Sequence, residues 1–481
     1  MKILFLASEV HPFSKTGGLG DVAHSLPAAL AALGHEVLVV TPLYGALRER
    51  ERLEPLHVRL PLTFPAGAFP ADLHRVQVGE RHQVLFLGND ALFGQRAGLY
   101  GEAGGDYGDN ALRFAFLSVG ALTAAQVLRF HPDVVHLNDW QTGLAAVALL
   151  GAYAEGPLGR ARSVLTIHNL AYQGWFPKGQ MDVLGLPWEL FTPDGLEFYD
   201  QVNFLKAGLV YADALTTVSP SYAREVQTPE GGEGLHGLLR QRAGALTGIL
   251  NGIDTEAWDP ATDRHLPAHY SREDLSGREA CRRALLARFA MPEDAPEPLF
   301  GVVSRFAGQK GMDLVLEVLP ALLSEGRARL AVVGSGDPAL ETAFRVLAAR
   351  FPDRVGLRLG YDEPLSHLVE AGADFFLMPS RYEPCGLNQM YSLAYGCVPV
   401  VRSVGGLADS VTDLAQPDGT GIRFDAFSGP AFLRALERAL ALHADPARMR
   451  EVRLRGMAQD FSWGRSARAY ESLYRRLVEA G

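Results

Sequence analysis

Short apolar runs alternate with stretches whose apolar residues return every three or four positions, and the alternation continues along almost the whole chain. Runs at residues 3–7, 37–40, 84–87, 134–137 and 164–167 are short and largely apolar, broken only by His136 and Thr166, which predicts strands buried on both faces. Behind the first run, Val22, Leu26, Ala29, Leu30 and Leu33 recur at helical spacing. The plan restarts at residues 299–303, followed by a helix with Leu314, Val315, Val318, Leu319 and Leu322 on its apolar side. Further strands are predicted at 330–333, 375–378 and 398–401. Strands alternating with helices predict parallel sheets covered by helices. The reading is α/β, with two doubly wound Rossmann-like domains whose loops face each other across a cleft, where such sheets bind ligands. The expected division is 1–247, 248–460 and a terminal segment 461–481, with a hinge near residues 246–251. Residues 259–298, rich in Asp, Glu, Arg and Pro, read as surface structure at the start of the second domain.

Length supports two domains, because 481 residues exceed what one hydrophobic core organises. A net charge of −10 with no long Lys/Arg run argues against a general nucleic-acid binder. Cys281, Cys385 and Cys397 form no Cys-x-x-Cys pair, which suggests a reducing compartment rather than a disulfide framework or zinc site. The first apolar run is too short for a signal peptide and is followed at once by Glu9, and no stretch is long enough to span a bilayer. The expectation is a cytoplasmic protein with no membrane partner.

Three loops carry candidate chemistry. Lys15-Thr16-Gly17-Gly18-Leu19-Gly20-Asp21 joins the first strand to its helix. Helix N-termini offer free N–H groups and a positive dipole end, and glycines let an anion approach closely. The segment fits a phosphate cradle with Lys15 at its mouth, and it also fits a tight turn with a solvated lysine. Arg305 and Lys310 follow the first strand of the second half, five residues apart. Two such cations suit a leaving diphosphate, whose charge grows as its bond to carbon breaks, or they are solvated surface groups. The third loop, Pro379 to Gln389, follows the strand 375–378 and opens a helix through Met390, Leu393 and Ala394. There the N–H groups of Cys385, Gly386 and Leu387 suit hydroxyl or phosphate acceptors, and Glu383 suits sugar hydroxyls or the helix dipole. Covalent chemistry at Cys385 is disfavoured, since no histidine lies near it in sequence. His265 and His269 are four apart, but Pro267 breaks the helix that would align them as ligands.

Taken in order, these segments resemble bacterial glycogen synthases and plant starch synthases, retaining glycosyltransferases of the GT-B fold. The resemblance runs nearly end to end. It adds Asn138-Asp139-Trp140, Thr166-Ile167-His168-Asn169, Asn251-Gly252-Ile253-Asp254, Gly405-Gly406-Leu407 and Phe461-Ser462-Trp463 to the three loops. It implies transfer of glucose from ADP-glucose to the non-reducing end of an α-1,4-glucan (glycogen), with retention. The alternative is a UDP-glucose-preferring glucan synthase or another retaining glucosyltransferase of this fold. By resemblance, Lys15 and the Gly17-Gly18 backbone approach the donor diphosphate from the first, acceptor-side domain. Arg305 and Lys310 clamp it from the second, nucleotide-sugar domain, where Tyr361 stacks on the adenine. Glu383, His168 and Asp139 surround the transferred glucose, and Asn169, Asn251, Cys385, Gly386, Leu387 and Asn388 complete the expected substrate contacts. The C-terminal helix, about 464–478, is expected to cross back onto the first domain through Ala469, Leu473 and Leu477. No cofactor and no metal are implied, in keeping with the lack of an Asp-x-Asp pair.

Two departures stand out. Many retaining relatives carry a second Glu eight positions after the first; here Tyr391 occupies it, as in glycogen synthases. Asn388 stands where many bacterial members have Thr, which bears on one phosphate contact. Two rivals come from other classes. Gly334-Ser335-Gly336-Asp337-Pro338-Ala339 mimics the dinucleotide fingerprint of an oxidoreductase, although Pro338 and its place after a second strand count against it. A catalytically silent glucan binder would use exposed aromatics such as Trp140, Tyr172 and Trp175. Whether retention proceeds by proton transfer to the leaving phosphate or by a carboxylate nucleophile stays open at this level.

Overall fold

The computed structural model describes residues 1–45, 47, 53–102 and 105–480. The chain forms two compact units, one comprising Met1–Val218, Ala223–Asn251 and Trp463–Gly481, the other Ser219–Tyr222 and Gly252–Ser462. No helix among the described residues is long and apolar enough to cross a membrane.

The first unit is built on a nine-stranded sheet. Its strands are β1 (Lys2–Leu6), β2 (Glu36–Pro42), β3 (Glu54–Leu60), β4 (Ala71–Gly79), β5 (His82–Gly88), β6 (Val134–Asn138), β7 (Arg162–Ile167), β8 (Ala214–Thr217) and β9 (Leu246–Gly248). They lie in the order β9-β8-β7-β6-β1-β2-β5-β4-β3. Pairing is parallel from β9 to β5, and the last two strands are antiparallel. All five predicted apolar runs are strands. The antiparallel extension departs from a purely parallel reading because β3 and much of β4 are exposed and polar. Residues 246–248, expected at a hinge, are instead the edge strand β9.

The second unit carries a six-stranded sheet, parallel throughout. Its strands are β10 (Leu299–Phe306), β11 (Arg329–Gly336), β12 (Val355–Leu359), β13 (Phe375–Met378), β14 (Val398–Arg402) and β15 (Ile422–Phe424), ordered β12-β11-β10-β13-β14-β15. The chain leaves β10 toward β11 on one side and returns to β13 on the other, so the order reverses between β10 and β13. The first unit has the same reversal at β1, between β2 and β6. Such switch points open a crevice at the strand carboxyl ends.

Helices complete the layers. Helix α1 (Gly18–Ala32) follows β1 and buries Val22, Leu26 and Leu30, while Ala29 and Leu33 pack at the margin of that core. Residues 259–298 are not merely surface. Helix α2 (Gly277–Arg288) buries Cys281, Leu285 and Leu286, and Leu266 and Tyr270 join Cys281 in a satellite core. Helix α3 (Met312–Ser324) buries the five predicted residues, and α4 (Glu363–Gly372) and α5 (Asn388–Ala394) follow β12 and β13. The glycines of the dinucleotide-like segment serve packing: a Cβ at Gly334 would run into the Ser304 carbonyl, and Asp337 caps the next helix through the Ala339 N–H at 2.7 Å.

The terminal helix α6 (Trp463–Glu479) belongs to the first unit. Its docked face is Trp463, Ala467, Tyr470, Leu473 and Tyr474, buried in the core around β1 and α1, with Leu477 at the margin. Ala469 was expected on that face but is exposed, because it falls a full position off the 463-467-470-474 stripe. The Tyr474 hydroxyl bonds to His136 Nδ1 at 2.6 Å, and Ser466 Oγ donates to the Leu250 carbonyl at 2.6 Å. Replacing Leu473 by Ala is therefore expected to cost about 2–4 kcal/mol in urea unfolding. The same truncation at the exposed Val478 should stay within about 0.5 kcal/mol. Equal effects at the two positions would contradict the docked face.

Candidate active site

In the second unit the cation loop and the Glu383 loop lie side by side because β10 and β13 are neighbours. Strand β10 runs through Phe306, so Arg305 sits in the strand, paired with Ser335, rather than in the loop beyond it. Lys310 closes the one-turn helix Gly308–Lys310 that follows. Its Nζ donates to both oxygens of the buried Glu383 carboxylate, at 2.8 and 2.7 Å, and Ser380 Oγ adds a third bond at 3.0 Å. The loops are also joined by the Arg381 N–H to the Gln309 carbonyl at 2.8 Å. A cavity of about 180 Å³ opens here, lined by Arg305, Lys310, Glu383, Gly386, Leu387 and Asn388 among others. Gly386 has φ +71°, where a side chain is disfavoured, and a Cβ there would press on the Gln389 amide. A Cβ at Gly405 would run into the Glu383 carbonyl and one at Gly406 into the Cys385 carbonyl, which explains the glycine pair after β14.

Other expected residues of this unit fall differently. Asn388 Nδ2 donates to the Val303 carbonyl at 2.6 Å, so its amide ties α5 to β10. Cys385 is buried. Tyr361 stands beyond β12 with 79% of its surface exposed. Tyr391 stacks on Trp258 with ring centroids 3.8 Å apart, so the position of the missing second carboxylate is part of an aromatic stack.

In the first unit the loops after β1, β6 and β7 carry the candidates. Asp139 has φ +52°, an unusual conformation for a non-glycine residue and one that clusters at functional sites. Its side chain makes no helix cap. It accepts the His168 N–H at 2.7 Å, and the Asn169 N–H as well. Burial pushes its pKa up to about 7, these backbone bonds oppose the rise, and the Glu9 charge adds to it. Asn138 Nδ2 donates to the Leu6 carbonyl at 2.8 Å, which turns its Oδ1 toward His168 Nε2 at 2.9 Å. His168 is thereby fixed as the Nε2–H tautomer with a lone pair on Nδ1, and burial lowers its pKa to about 3. Asn169 Oδ1 accepts the Ala171 N–H at 3.1 Å. Asn251 is buried, and its Oδ1 meets no partner among the described residues.

The Lys15 loop holds a residue not expected there. Buried Glu9 accepts the N–H groups of Thr16 and, at 3.3 Å, Gly17, the Thr16 hydroxyl at 3.1 Å and the Tyr100 hydroxyl at 3.0 Å. Burial raises its pKa against these bonds. Two loop N–H groups expected to meet phosphate are thus bound to a carboxylate of the chain itself. Lys15 Nζ pairs with Asp21 at 2.7 Å. A Cβ at Gly17 or Gly18 would meet nothing within 4 Å, so packing within the chain does not demand glycine at either position. Glu9 was legible only as an acid directly behind a buried strand, a signal too common to single it out. Trp140, taken as an exposed aromatic, is buried against Phe114, whereas Tyr172 and Trp175 are exposed.

Two α/β units, each with charged loops at the switch point of its sheet, match the GT-B class of glycosyltransferases. Residues 2–241 match the family described as "Starch synthase catalytic domain", and residues 286–453 match "Glycosyl transferases group 1". The chain belongs to the glycogen synthase family. It is 62% identical over 479 residues to a glycogen synthase of Myxococcus xanthus, covering 99% of this chain and 100% of that one. It is 56% identical to one from Anaeromyxobacter sp. strain Fw109-5, with the same coverage. Among solved structures, the catalytic domain of starch synthase IV from Arabidopsis thaliana, bound to ADP and acarbose, aligns with a TM-score of 0.91. It is 35% identical, and 99% of each chain is covered.

The raised Asp139 pKa has a stability consequence. A carboxyl group whose folded pKa lies above its unfolded value stabilises most below the unfolded pKa, and that contribution is lost as pH rises through the folded pKa. Stability contributed at this position should therefore fall between about pH 4 and 7. Asp139→Asn should lack that fall in urea titrations across the range; parallel pH profiles for the two proteins would contradict the assignment.

Proposed function

We propose that the enzyme transfers glucose from ADP-glucose to the non-reducing end of an α-1,4-glucan, with retention at the anomeric carbon, in the cytoplasm. The observation that carries the reading is the cavity at the second unit's switch point, where Arg305, Lys310 and Glu383 converge with the Gly386–Asn388 backbone. Cations on the loops of a parallel sheet suit a diphosphate leaving group, because their attraction grows as charge develops on the phosphate. ADP bound to the similar starch synthase IV domain supports the adenine nucleotide, and the exposed Tyr361 ring suits stacking on its base.

In this reading Arg305 and Lys310 stabilise the departing diphosphate. Lys310 stays within reach of Glu383, whose carboxylate orients the glucose hydroxyls. Lys15 and the helix end at Gly17-Gly18 add positive potential from the first unit, which serves as the acceptor side. Asp139, His168 and Asn169 form the polar wall beside the transferred sugar. Asn251, Cys385, Leu387 and Asn388 shape substrate contacts, Asn388 by holding α5 against β10. The oxocarbenium-like transition state needs cations behind the leaving group and a proton acceptor near the incoming hydroxyl. The leaving phosphate is that acceptor, and Lys310 between it and Glu383 keeps the carboxylate from acting as nucleophile.

Labelled ADP-glucose supplied with glycogen should place label in the polymer, and excess unlabelled ADP-glucose should suppress this more strongly than UDP-glucose. Lys15→Ala should raise the donor KM at least about tenfold, the loss of one charge-assisted contact. Glu383→Ala should lower kcat by about a hundredfold or more with acceptor binding little changed. Label that never enters glucan refutes the reading, and unaltered kinetics in both variants refute the residue roles.

A further inference from the structure

A second cluster lies in the second unit on the far end of α5's aromatic stack, outside the cavity. Trp258 is sandwiched between Tyr391 at 3.8 Å and His367 at 3.7 Å, with both ring pairs nearly parallel. His367 is buried on α4, and Glu363 lies one helical turn before it, on the same face. The loop after Trp258 brings His265 alongside, its ring centroid 4.8 Å from that of His367. One ligand atom from each of His265, Glu363 and His367 lies within 4.8 Å of the others. Pro267 excludes His265 and His269 as a helical pair, but the fold supplies His265 with different partners.

The structure assigns His265, Glu363 and His367 as a binding site for a divalent ion of the zinc type, tying the 259–276 loop to the start of α4. Three features point to a ligand rather than to a solvated cluster. First, the donor set of two imidazoles and one carboxylate is one that suits zinc, with a fourth position left to water. Second, His367 Nδ1 is bonded to the buried Asp263 carboxylate at 2.7 Å, so its proton lies on Nδ1 and the lone pair on Nε2. This is the outer-shell partner that orients and strengthens metal-ligating histidines. Asp263 is itself fixed, accepting the Tyr395 hydroxyl at 2.6 Å and, through its other oxygen, the His265 N–H at 2.8 Å. One carboxylate thus sets two of the three ligands. Third, little rearrangement is needed. Tetrahedral zinc places its ligand atoms about 3.3 Å apart, and the exposed Glu363 and the loop-borne His265 can close the difference by side-chain rotation alone. Arg264 opposes the ion, its Nε lying 3.5 Å from His265 Nε2, so His265 ligates through Nδ1 or displaces this long contact. The Asp263 and Glu363 charges offset that guanidinium.

The site is tested on the full-length protein after chelator stripping and dialysis, by calorimetric titration with zinc chloride and by the visible spectrum with cobalt. One equivalent of zinc is expected, with four-coordinate cobalt bands and a rise in Tm. Glu363→Gln and His265→Gln, at the least buried ligands, should each weaken zinc binding at least about tenfold and abolish the cobalt bands. His131→Gln, an exposed histidine elsewhere, should change nothing. Absence of stoichiometric binding overturns the proposal. So does binding that survives unchanged in either ligand variant, because the ion then sits elsewhere. None of these readouts depends on glucosyl transfer.

Discussion

Parallel pairing in the two sheets decides where every charged group of the candidate site can lie. Parallel strands all end at one edge, so the loops that follow them share that edge, and the strands flanking the order reversal deliver their loops as neighbours. In the second unit those strands are β10 and β13. Their register alone brings Lys310, 73 residues earlier in the chain, within hydrogen-bond distance of Glu383. In the first unit β1, β6 and β7 deliver Glu9, Asp139 and His168 by the same rule. The apolar runs that make these strands thus also set where the chemistry can lie, and the polar residues at their carboxyl ends, Asn138 on β6 and Arg305 on β10, join it.

Charge at these edges is costly to bury, and each unit meets the cost differently. In the second, a cation neutralises a carboxylate, an arrangement whose attraction offsets desolvation only with good geometry and further bonds. Glu383 has both, in the bidentate ammonium and the Ser380 hydroxyl. Among the described residues of the first unit no lysine or arginine bonds Glu9 or Asp139; backbone N–H groups and hydroxyls hold them instead. Neutral donors stabilise a carboxylate less than an ion pair does. Both pKa values accordingly rise, Asp139 to about 7. The left-handed backbone at Asp139 is a further strain that the surrounding strands hold in place.

Much of this was legible in the sequence where one physical signal dominated. Short, largely apolar runs predicted nine strands and all nine are present, since burial on both faces admits few polar residues, here His136 and Thr166, which bond each other. The edge strand β3 and its neighbour β4 escaped because their exposed faces carry polar residues without clear alternation. The loop motifs identified Lys15, Arg305, Lys310 and Glu383 by residue type, but type does not specify partners. That Lys310 binds Glu383 and that Asn388 binds a strand carbonyl depend on distances between segments remote in sequence, whereas Glu9 reaches the Lys15 loop locally, through a turn that residue type alone does not specify. Ala469 failed for a simpler reason: alanine fits either face of a helix, and the large side chains at 463, 470, 473 and 474 set the phase of α6.

The internal partners bear on how an anion can be held. Under the proposed function a diphosphate would meet a lysine already shared with a carboxylate, so its gain would be the difference between two charge-assisted contacts, not the whole of one. The Arg305 guanidinium has no such carboxylate partner among the described residues and stands exposed at the cavity rim, so under the proposed function it would be the cation with the larger net gain on binding. In the first unit Glu9 keeps the Thr16 and Gly17 N–H groups, so under the proposed function an anion would meet α1 at Gly18, where a Cβ would find nothing within 4 Å. A site whose charges are partly satisfied from within keeps its loops ordered and reserves its strongest response for the charge that develops as the glycosidic phosphate bond breaks, which is where transition-state stabilisation must be concentrated.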